Sequence, residues 1–264
     1  AALDEAEKRG TPYRLESLKQ VVSSGVMWST EIKQGLLRHH DMVLADVMGS
    51  TEGGMGSSVM TREAAASTAK FELNEGVVVI TDDDRMVQPG SGEMGKIATS
   101  SFVPLGYYKD PEKSTATFRE VNGVRYSFPG DYATVEADGS ITLLGRGSVC
   151  INTAGEKVFP EEVEEAVKRH KCIEDCLVVG LPDERFGERV VAVASIYENA
   201  NVSPDDVMGF AAEHLAGYKQ PRQVLLVEEV RRAPNGKADY KWAKAFAEKA
   251  FVEKTSAEKA LAES

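Results

Sequence analysis

The first part of the chain alternates apolar runs with one helical segment. Residues 18–23 and 42–48 are short apolar runs, and Ser29 or Thr30 can cap a helix that continues to about residue 39. Because strand, helix and strand follow one another with short connections, this segment predicts a parallel βα unit.

Between residues 77 and 144 the pattern changes to brief β-rich runs that are separated by turn residues. The predicted strands are residues 77–81, 85–88, 96–101, 124–127 and 141–144. Several short strands at such spacing predict an antiparallel sheet or a small barrel.

The last part of the chain mixes helices with strands. Pro160 occupies a position typical of a first helical turn, and Val163, Ala166 and Val167 follow it on one face. The further predicted elements are strands at 173–181, 188–197 and 223–230, a helix at 204–216, and a closing helix from about residue 239. This half can close its own core, so we predict two domains, residues 1–146 and 147–264. The expected fold class is α/β followed by α+β.

Charge and composition argue against some classes of protein. The 264 residues include 31 basic and 42 acidic side chains, which gives a formal net charge of −11. This balance argues against nucleic-acid binding, which depends on clustered Lys and Arg. Every apolar stretch is far shorter than the roughly 20 residues of a membrane helix, so we expect no transmembrane segment. Three cysteines and an acidic, Ala-rich start favour a cytoplasmic location.

Turn-like segments carry the candidate chemistry. Gly49, Ser50, Thr51 and Glu52 follow a predicted strand, and they offer small residues, hydroxyls for a phosphate oxygen and a carboxylate able to hold Mg²⁺. Two later segments are weaker signals, namely Gly130-Asp131 and Pro234-Asn235-Gly236-Lys237. Taken singly, each segment is more often a plain connection than a site.

Histidine and cysteine give no metal-site pattern. His39 and His40 are adjacent, so on a helix they point in different directions and cannot share a metal-binding face. Cys172 and Cys176 have no second pair to complete a zinc site. We therefore expect surface histidines and free thiols.

Taken in order, these segments resemble the adenylate-forming superfamily, which includes acyl-CoA synthetases, luciferases and the adenylation domains of peptide synthetases. The most specific stretch is residues 144–146 followed by residues 151–164. The other matching segments are Ser24-Gly25-Val26, Gly49-Ser50-Thr51-Glu52, residues 106–111, Gly130-Asp131 with Asp138-Gly139, and Pro234-Asn235-Gly236-Lys237.

The resemblance implies ATP-dependent activation of a carboxylic acid to acyl-AMP and then to acyl-CoA, with Mg²⁺ as cofactor and CoA as co-substrate. Residues 233–244 also resemble actinobacterial fatty-acyl and steroid-side-chain ligases. The implied partners are a small-molecule acid, ATP and CoA, with no nucleic acid; a homo-oligomer is left open.

The resemblance also implies the roles of individual residues. Lys237 would bridge the α-phosphate, the carboxylate and the ribose during adenylation. Glu52 would hold Mg²⁺ and Thr51 would bind phosphate. Asp131 would accept hydrogen bonds from the ribose hydroxyls, with Arg146 donating nearby.

Further residues follow from the same resemblance. The other implied nucleotide-binding residues are Gly25, Asp46, Gly49 and Ser50. The acyl pocket would lie near Val26 and Gly54. In the second half-reaction the small domain would rotate about a hinge at Ser148 and bring the Gly155 loop to the attacking thiol.

Three positions depart from the family's pattern. Ser148 stands where the hinge residue is usually Asp or Lys, and Met48 stands where an aromatic ring often stacks on adenine. Phe128-Pro129 replaces the customary Arg-Thr before Gly-Asp.

The family's Ser/Thr/Gly-rich loop ending in Lys, which grips the β- and γ-phosphates, does not occur in these residues. We expect it upstream, so that residues 1–146 would be the C-terminal portion of the large AMP-binding domain and residues 147–264 the small mobile domain. This C-terminal half would be inactive alone. Two alternatives stay open: an acyl-AMP ligase or adenylation domain that feeds a carrier protein, and a non-catalytic binding or structural module.

Overall fold

The chain divides into two compact units, Ala1–Leu143 and Leu144–Ser264. The computed structural model describes the backbone of residues 2–65 and 67–262, with side chains through residue 253. Among these residues, no helix combines the length and the apolar character needed to cross a bilayer. The domain assignment made from the sequence, with a boundary after Arg146, stays a prediction.

The first unit is built mainly on one sheet. Its elements are α1 (Ala2–Lys8), β1 (Gln20–Ser24), α2 (Thr30–His39), β2 (Val43–Ser50), β3 (Gly53–Met60), β4 (Lys70–Leu73), β5 (Val77–Ile80), β6 (Met94–Thr99), α3 (Pro111–Thr117), β7 (Phe118–Val121), β8 (Val124–Ser127), β9 (Asp131–Val135) and β10 (Ile141–Arg146). The strand order is β1-β2-β3-β4-β10-β9-β6-β8-β7, and β5 pairs with β6.

The predicted parallel βα unit is confirmed. Strands β1 and β2 pair in parallel, with Gln20 opposite Val43 and Ser24 opposite Val47. The Ser29 side chain accepts a hydrogen bond from the Ile32 amide and so caps α2. Helix α2 covers one face of these strands, where a buried cluster contains Trp28, Leu37, Met42, Leu44 and Met60.

The antiparallel part of the unit confirms the fold class, but the strands run as an open path and close no barrel among the described residues. The strand predicted at residues 85–88 is wrong, since it is reduced to one bridge between Ile80 and Met86. Four strands of this unit were not predicted, namely β3, β4, β7 and β9. Strand β3 begins Gly-Gly-Met-Gly, which has low β propensity, yet a side chain on Gly56 would collide with the Glu72 carbonyl of β4.

The second unit is a sheet covered by helices on both faces. Its elements are a 3₁₀ turn (Gly147–Val149), β11 (Ile151–Thr153), β12 (Glu156–Val158), α4 (Pro160–Lys168), β13 (Ile173–Asp183), β14 (Gly187–Ile196), α5 (Pro204–His214), β15 (Gln223–Val227) and α6 (Tyr240–Ala262). The sheet order is β12-β11-β14-β13, with β15 paired to β14.

Alternate residues of β13 and β14 enter two different cores. Cys176 and Val178 pack with residues of α4 and α5, whereas Leu177 and Val179 pack with Ala243 and other residues of α6. Both faces of the ladder are therefore buried, which explains why the sequence shows two nearly continuous apolar runs here.

A buried ion pair fixes helix α2 to strand β2. The Lys33 ammonium lies 3.1 Å from a carboxylate oxygen of Asp46, and the two side chains are 1% and 4% exposed. The ammonium also lies 5.4 Å from the ring centroid of Trp28. Burial raises the pKa of Asp46, and the hydrogen bond and charge of Lys33 oppose that rise.

We predict that Lys33→Ala destabilises the protein by about 3–5 kcal/mol, because it leaves the Asp46 carboxylate buried without a counter-charge. Urea unfolding measures the loss. The double variant Lys33→Met, Asp46→Leu removes both charges and should recover most of the stability. A double variant no more stable than Lys33→Ala would contradict this account of the pair.

Candidate functional site

Thr51 and Glu52 form the two-residue turn of a hairpin between β2 and β3. Ser50 pairs with Gly53 across this turn. The turn follows the carboxyl end of β2, and Gly25 follows the carboxyl end of its parallel neighbour β1, with a φ of 82°. The structure thus places the predicted Gly25 and Gly49–Glu52 segments at one edge of the parallel pair, where α/β sheets commonly bind ligands.

The Glu52 carboxylate is held by several donors. The Thr51 hydroxyl donates to it at 3.0 Å, and the Tyr107 hydroxyl donates to its other oxygen. The backbone amide of Glu52 donates to the Ser50 hydroxyl at 3.2 Å. Burial raises the pKa of Glu52, but hydrogen bonding with Tyr107, Ser50 and Thr51 outweighs it and lowers the pKa to about 2. Glu52 is therefore ionised at neutral pH.

Tyr107 is a site residue whose role the sequence did not predict. Its ring packs against that of Phe118, with 5.2 Å between the ring centroids, and the Lys113 ammonium lies 4.2 Å from the Tyr107 ring centroid. The segment of residues 106–111 was matched to a family, but only the fold shows that Tyr107 reaches Glu52 across 55 residues of sequence.

Glu52 has the chemistry of a magnesium ligand. Mg²⁺ is usually held by one or two carboxylates together with substrate phosphates, so a single ionised carboxylate beside hydroxyls suits it. Among the side chains described, those of residues 2–65 and 67–253, no three acidic, His or Cys residues gather into a metal site. The Glu52 carboxylate and the neighbouring hydroxyls fit a magnesium ion that is brought with a nucleotide.

Asp131 lies near the same end of the sheet. Lys96 pairs with Tyr132, so Asp131 falls one step closer to Thr99 at the carboxyl end of β6. A side chain on Gly53 would lie 3.0 Å from the Thr99 methyl group, which places the hairpin turn beside that end. The structure thus brings Asp131 toward the Glu52 turn.

Other predicted residues of the first unit differ in exposure. Val26 and Gly54 are exposed. Asp46 and Met48 instead point to the buried face of β2, where Asp46 is paired with Lys33. In this arrangement the Asp46 side chain supports the strand and is not displayed with Gly25 and Gly49.

Lys237 lies at the exit of a tight turn in the second unit. The Ala233 amide donates to the Lys237 carbonyl at 2.9 Å, and the Gly236 amide donates to the Ala233 carbonyl at 2.8 Å. An Asn235 side-chain oxygen accepts from the Lys237 amide at 3.2 Å. The Lys237 side chain is exposed, so its ammonium is available to a ligand.

Gly155 lies in a hairpin turn between β11 and β12. Ala154 and Gly155 have φ values of 53° and 86°, which are typical of the two central residues of a type I′ turn. The space around a side chain at Gly155 is open. Arg146 and Ser148 are also exposed, and Ser148 lies within the short 3₁₀ turn.

The Lys237 and Gly155 turns are at opposite ends of the β13–β14 ladder. The Lys237 turn is tied to Asp175 near the start of β13 through Arg232. The Gly155 turn adjoins the other end, where Gly187 pairs with both Thr153 and Asp183. Asp183 lies eight positions after Asp175 along β13, which corresponds to about 26 Å of extended chain.

Comparisons with known proteins agree with this fold. Residues 162–237 match the family model described as the AMP-binding enzyme C-terminal domain. The chain is 48% identical over 250 residues to a 3-oxocholest-4-en-26-oate–CoA ligase of Rhodococcus rhodochrous, covering 92% of this chain and 44% of that protein.

Two further matches add detail. A medium/long-chain-fatty-acid–CoA/3-oxocholest-4-en-26-oate–CoA ligase of Mycolicibacterium smegmatis is 44% identical over 247 residues, covering 92% of this chain and 45% of that protein. The amide bond synthetase McbA of Marinactinospora thermotolerans has a similar structure, with a TM-score of 0.75 and 24% identity over 91% of this chain and 49% of that chain.

The chain is similar to the C-terminal half of adenylate-forming enzymes, and its residues 162–237 match the AMP-binding C-terminal domain family. The resemblance seen in the sequence is thereby confirmed. The chain spans less than half the length of the two ligases that it matches. The similarity to McbA shows the fold alone.

We predict that Tyr107→Phe raises the pKa of Glu52 from about 2 toward its ordinary value of 4.5, because it removes a donor to the charged carboxylate. A carbon-13 NMR titration of the carboxyl resonance measures the shift. Tyr108 is 88% exposed, so Tyr108→Phe is the matched control and should leave the pKa unchanged. Equal pKa values in both variants would contradict the role given to Tyr107.

Proposed function

We propose that the intact protein activates a carboxylic acid with ATP and transfers the acyl group to CoA. The observation that carries this proposal is the position of two exposed turns, bearing Lys237 and Gly155, at opposite ends of one buried ladder. This arrangement suits one small domain that serves two successive half-reactions. The 48% identity to a named CoA ligase supports the same chemistry.

In the first half-reaction a carboxylate oxygen attacks the α-phosphorus of ATP and pyrophosphate leaves. Negative charge grows on the phosphate oxygens, so a positioned cation lowers the barrier. Lys237 supplies that cation from its exposed turn. Thr51 and Ser50 bind phosphate oxygens through their hydroxyls. Glu52 would hold Mg²⁺, which would neutralise phosphate charge.

The nucleoside is held at the carboxyl edge of β1 and β2. Gly25 and Gly49 let the adenine approach the backbone closely, since both are exposed and lack a side chain. The Asp131 carboxylate accepts hydrogen bonds from both ribose hydroxyls, with Arg146 donating nearby. Asp46 supports strand β2 behind this edge, through its ion pair with Lys33.

In the second half-reaction the thiol of CoA attacks the acyl carbon and AMP leaves. We propose that the small domain turns about Ser148 between the two steps, which exchanges the Lys237 turn for the Gly155 turn at the site. Gly155 then lets the pantetheine chain pass close to the backbone, because no side chain fills the open space there.

The proposed substrates are hydrophobic acids, either fatty acids or steroids with a carboxylated side chain. The names of the two similar ligases support this class, since both include 3-oxocholest-4-en-26-oate and one includes medium- and long-chain fatty acids. Val26 and Gly54 would border the acyl chain. We also propose a cytoplasmic location and leave a homo-oligomer open.

Acid-dependent exchange of pyrophosphate into ATP by the intact protein tests the proposal. Exchange that requires a steroid or fatty acid is expected, and no exchange with any acid tried would reject it. Product analysis then separates the acceptors, since acyl-AMP that accumulates despite added CoA would favour transfer to a carrier protein. We expect the 264-residue chain alone to show no turnover, and turnover by it would reject the proposed need for an upstream half.

We predict that Lys237→Ala slows adenylation by about 10²–10³-fold, the effect of losing one well-placed electrostatic stabiliser. Thioester formation from supplied acyl-AMP should survive, because Lys237 no longer faces the site. Gly155→Leu should do the reverse, because its side chain obstructs the thiol. Single-turnover kinetics of each half-reaction measure both effects.

Matched controls separate these effects from general damage. Lys241→Ala removes an exposed lysine of α6 and should leave both steps unchanged. Gly123→Leu introduces the same backbone strain, at a φ of 79°, into a hairpin turn that has no proposed role. Equal slowing of both half-reactions by Lys237→Ala would contradict the two-step use of the small domain.

A further inference from the structure

The turn that carries Lys237 is held to the sheet by one arginine. Arg232 and Ala238 form an antiparallel bridge at the base of the turn. From this base the Arg232 guanidinium donates to the Gly236 carbonyl at 3.2 Å, next to Lys237 in sequence. The same residue therefore forms the base of the turn through its backbone and contacts the tip through its side chain.

The guanidinium also binds Asp175 near the start of β13. Its Nε and Nη2 atoms each donate at 2.6 Å to a different oxygen of the Asp175 carboxylate. Both side chains are mostly buried, at 28% and 21% exposed. A bidentate pair in partial burial fixes orientation more firmly than a surface ion pair does.

The anchor on the sheet is itself rigid. An Asp175 oxygen accepts a hydrogen bond from the Cys176 amide at 2.8 Å, which fixes the carboxylate to the backbone of β13. Cys176 is fully buried in the core between the sheet and α4. Through Asp175 the turn is thus held in a fixed position relative to the β13–β14 ladder.

A second contact holds the chain where it leaves the turn. Ala238 and Tyr240, which follow the turn, pack against the buried cluster that contains Leu177 and Val179 of β13. Both ends of the turn are therefore attached to β13. Of the two attachments, the one through Arg232 contacts the turn itself, at the Gly236 carbonyl.

We propose that Arg232 is a positioning residue for adenylation, which holds the Lys237 turn in its productive place by binding Asp175 and the Gly236 carbonyl together. This inference rests on the proposed function of Lys237. Lysine at position 232 could not reproduce it fully, because an ammonium lacks the planar fork that binds a carboxylate with two donors and leaves a third free.

The test compares variants of the intact protein in separate half-reactions. Arg232→Ala should slow adenylation by about tenfold to a hundredfold, the scale expected when a catalytic group is displaced by about an ångström. Thioester formation from supplied acyl-AMP should stay within about twofold, because that step does not use the turn. Arg232→Lys should restore part of the lost rate. Arg231 is exposed and adjacent, so Arg231→Ala is the matched control.

Two further measurements distinguish positioning from general stability. In a Lys237→Ala background, Arg232→Ala should cause no further loss of adenylation, because the group that it positions is already absent. Amide hydrogen exchange should accelerate in residues 233–238 of Arg232→Ala and stay unchanged in β13 and β14. Neither result is expected of a residue that only stabilises the fold.

The inference is overturned if Arg232→Ala matches Arg231→Ala in adenylation and exchange, if both half-reactions slow equally, or if the loss adds to that of Lys237→Ala. Failure of the proposed function looks different. In that case Lys237→Ala would leave adenylation unchanged, or no acid would be adenylated, while the exchange measurement would still report whether Arg232 holds the turn.

Discussion

The β13–β14 ladder is the constraint on which the second unit depends. It pairs residues along nearly its whole length, from Ile173 opposite Ile196 to Asp183 opposite Gly187. Its two faces form the centres of two hydrophobic cores, so a one-residue shift in register would move each set of apolar side chains into the wrong core. A strand held this firmly gives fixed positions to whatever is attached at its ends.

The first unit fixes the positions of its candidate residues by a different arrangement of strands. Parallel pairing of β1 with β2 brings two connections to one edge of the sheet, and the hairpin to β3 presents Thr51 and Glu52 there. The Lys33–Asp46 pair secures the strand from behind, and Tyr107 secures the Glu52 carboxylate from the side. Each unit therefore holds its candidate residues on short turns that rigid strands support.

Local patterns in the sequence were sufficient to predict the strongly apolar helices and strands. Strands β13 and β14 and helix α4 follow from long apolar runs and a first-turn proline, and the β1–α2–β2 unit follows from its alternating elements. Strand β3 was missed because its glycines are required by close approach to β4, which the sequence does not display. Thr51, Gly155 and Lys237, which were assigned by resemblance, lie on exposed turns, whereas Asp46 is buried in β2. Local patterns could not reveal the Tyr107–Glu52 and Arg232–Asp175 contacts. These contacts join residues 55 and 57 positions apart.

The account requires that the acid and ATP react through an acyl-AMP. Oxygen-18 in the carboxylate of the acid tests this directly, because the oxygen that attacks the α-phosphorus stays with AMP when the thiol displaces it. Mass spectrometry of the products of the intact protein should show one oxygen-18 atom in AMP and none in pyrophosphate. Label found in inorganic phosphate, or AMP without label while acyl-CoA forms, would contradict the proposed reaction.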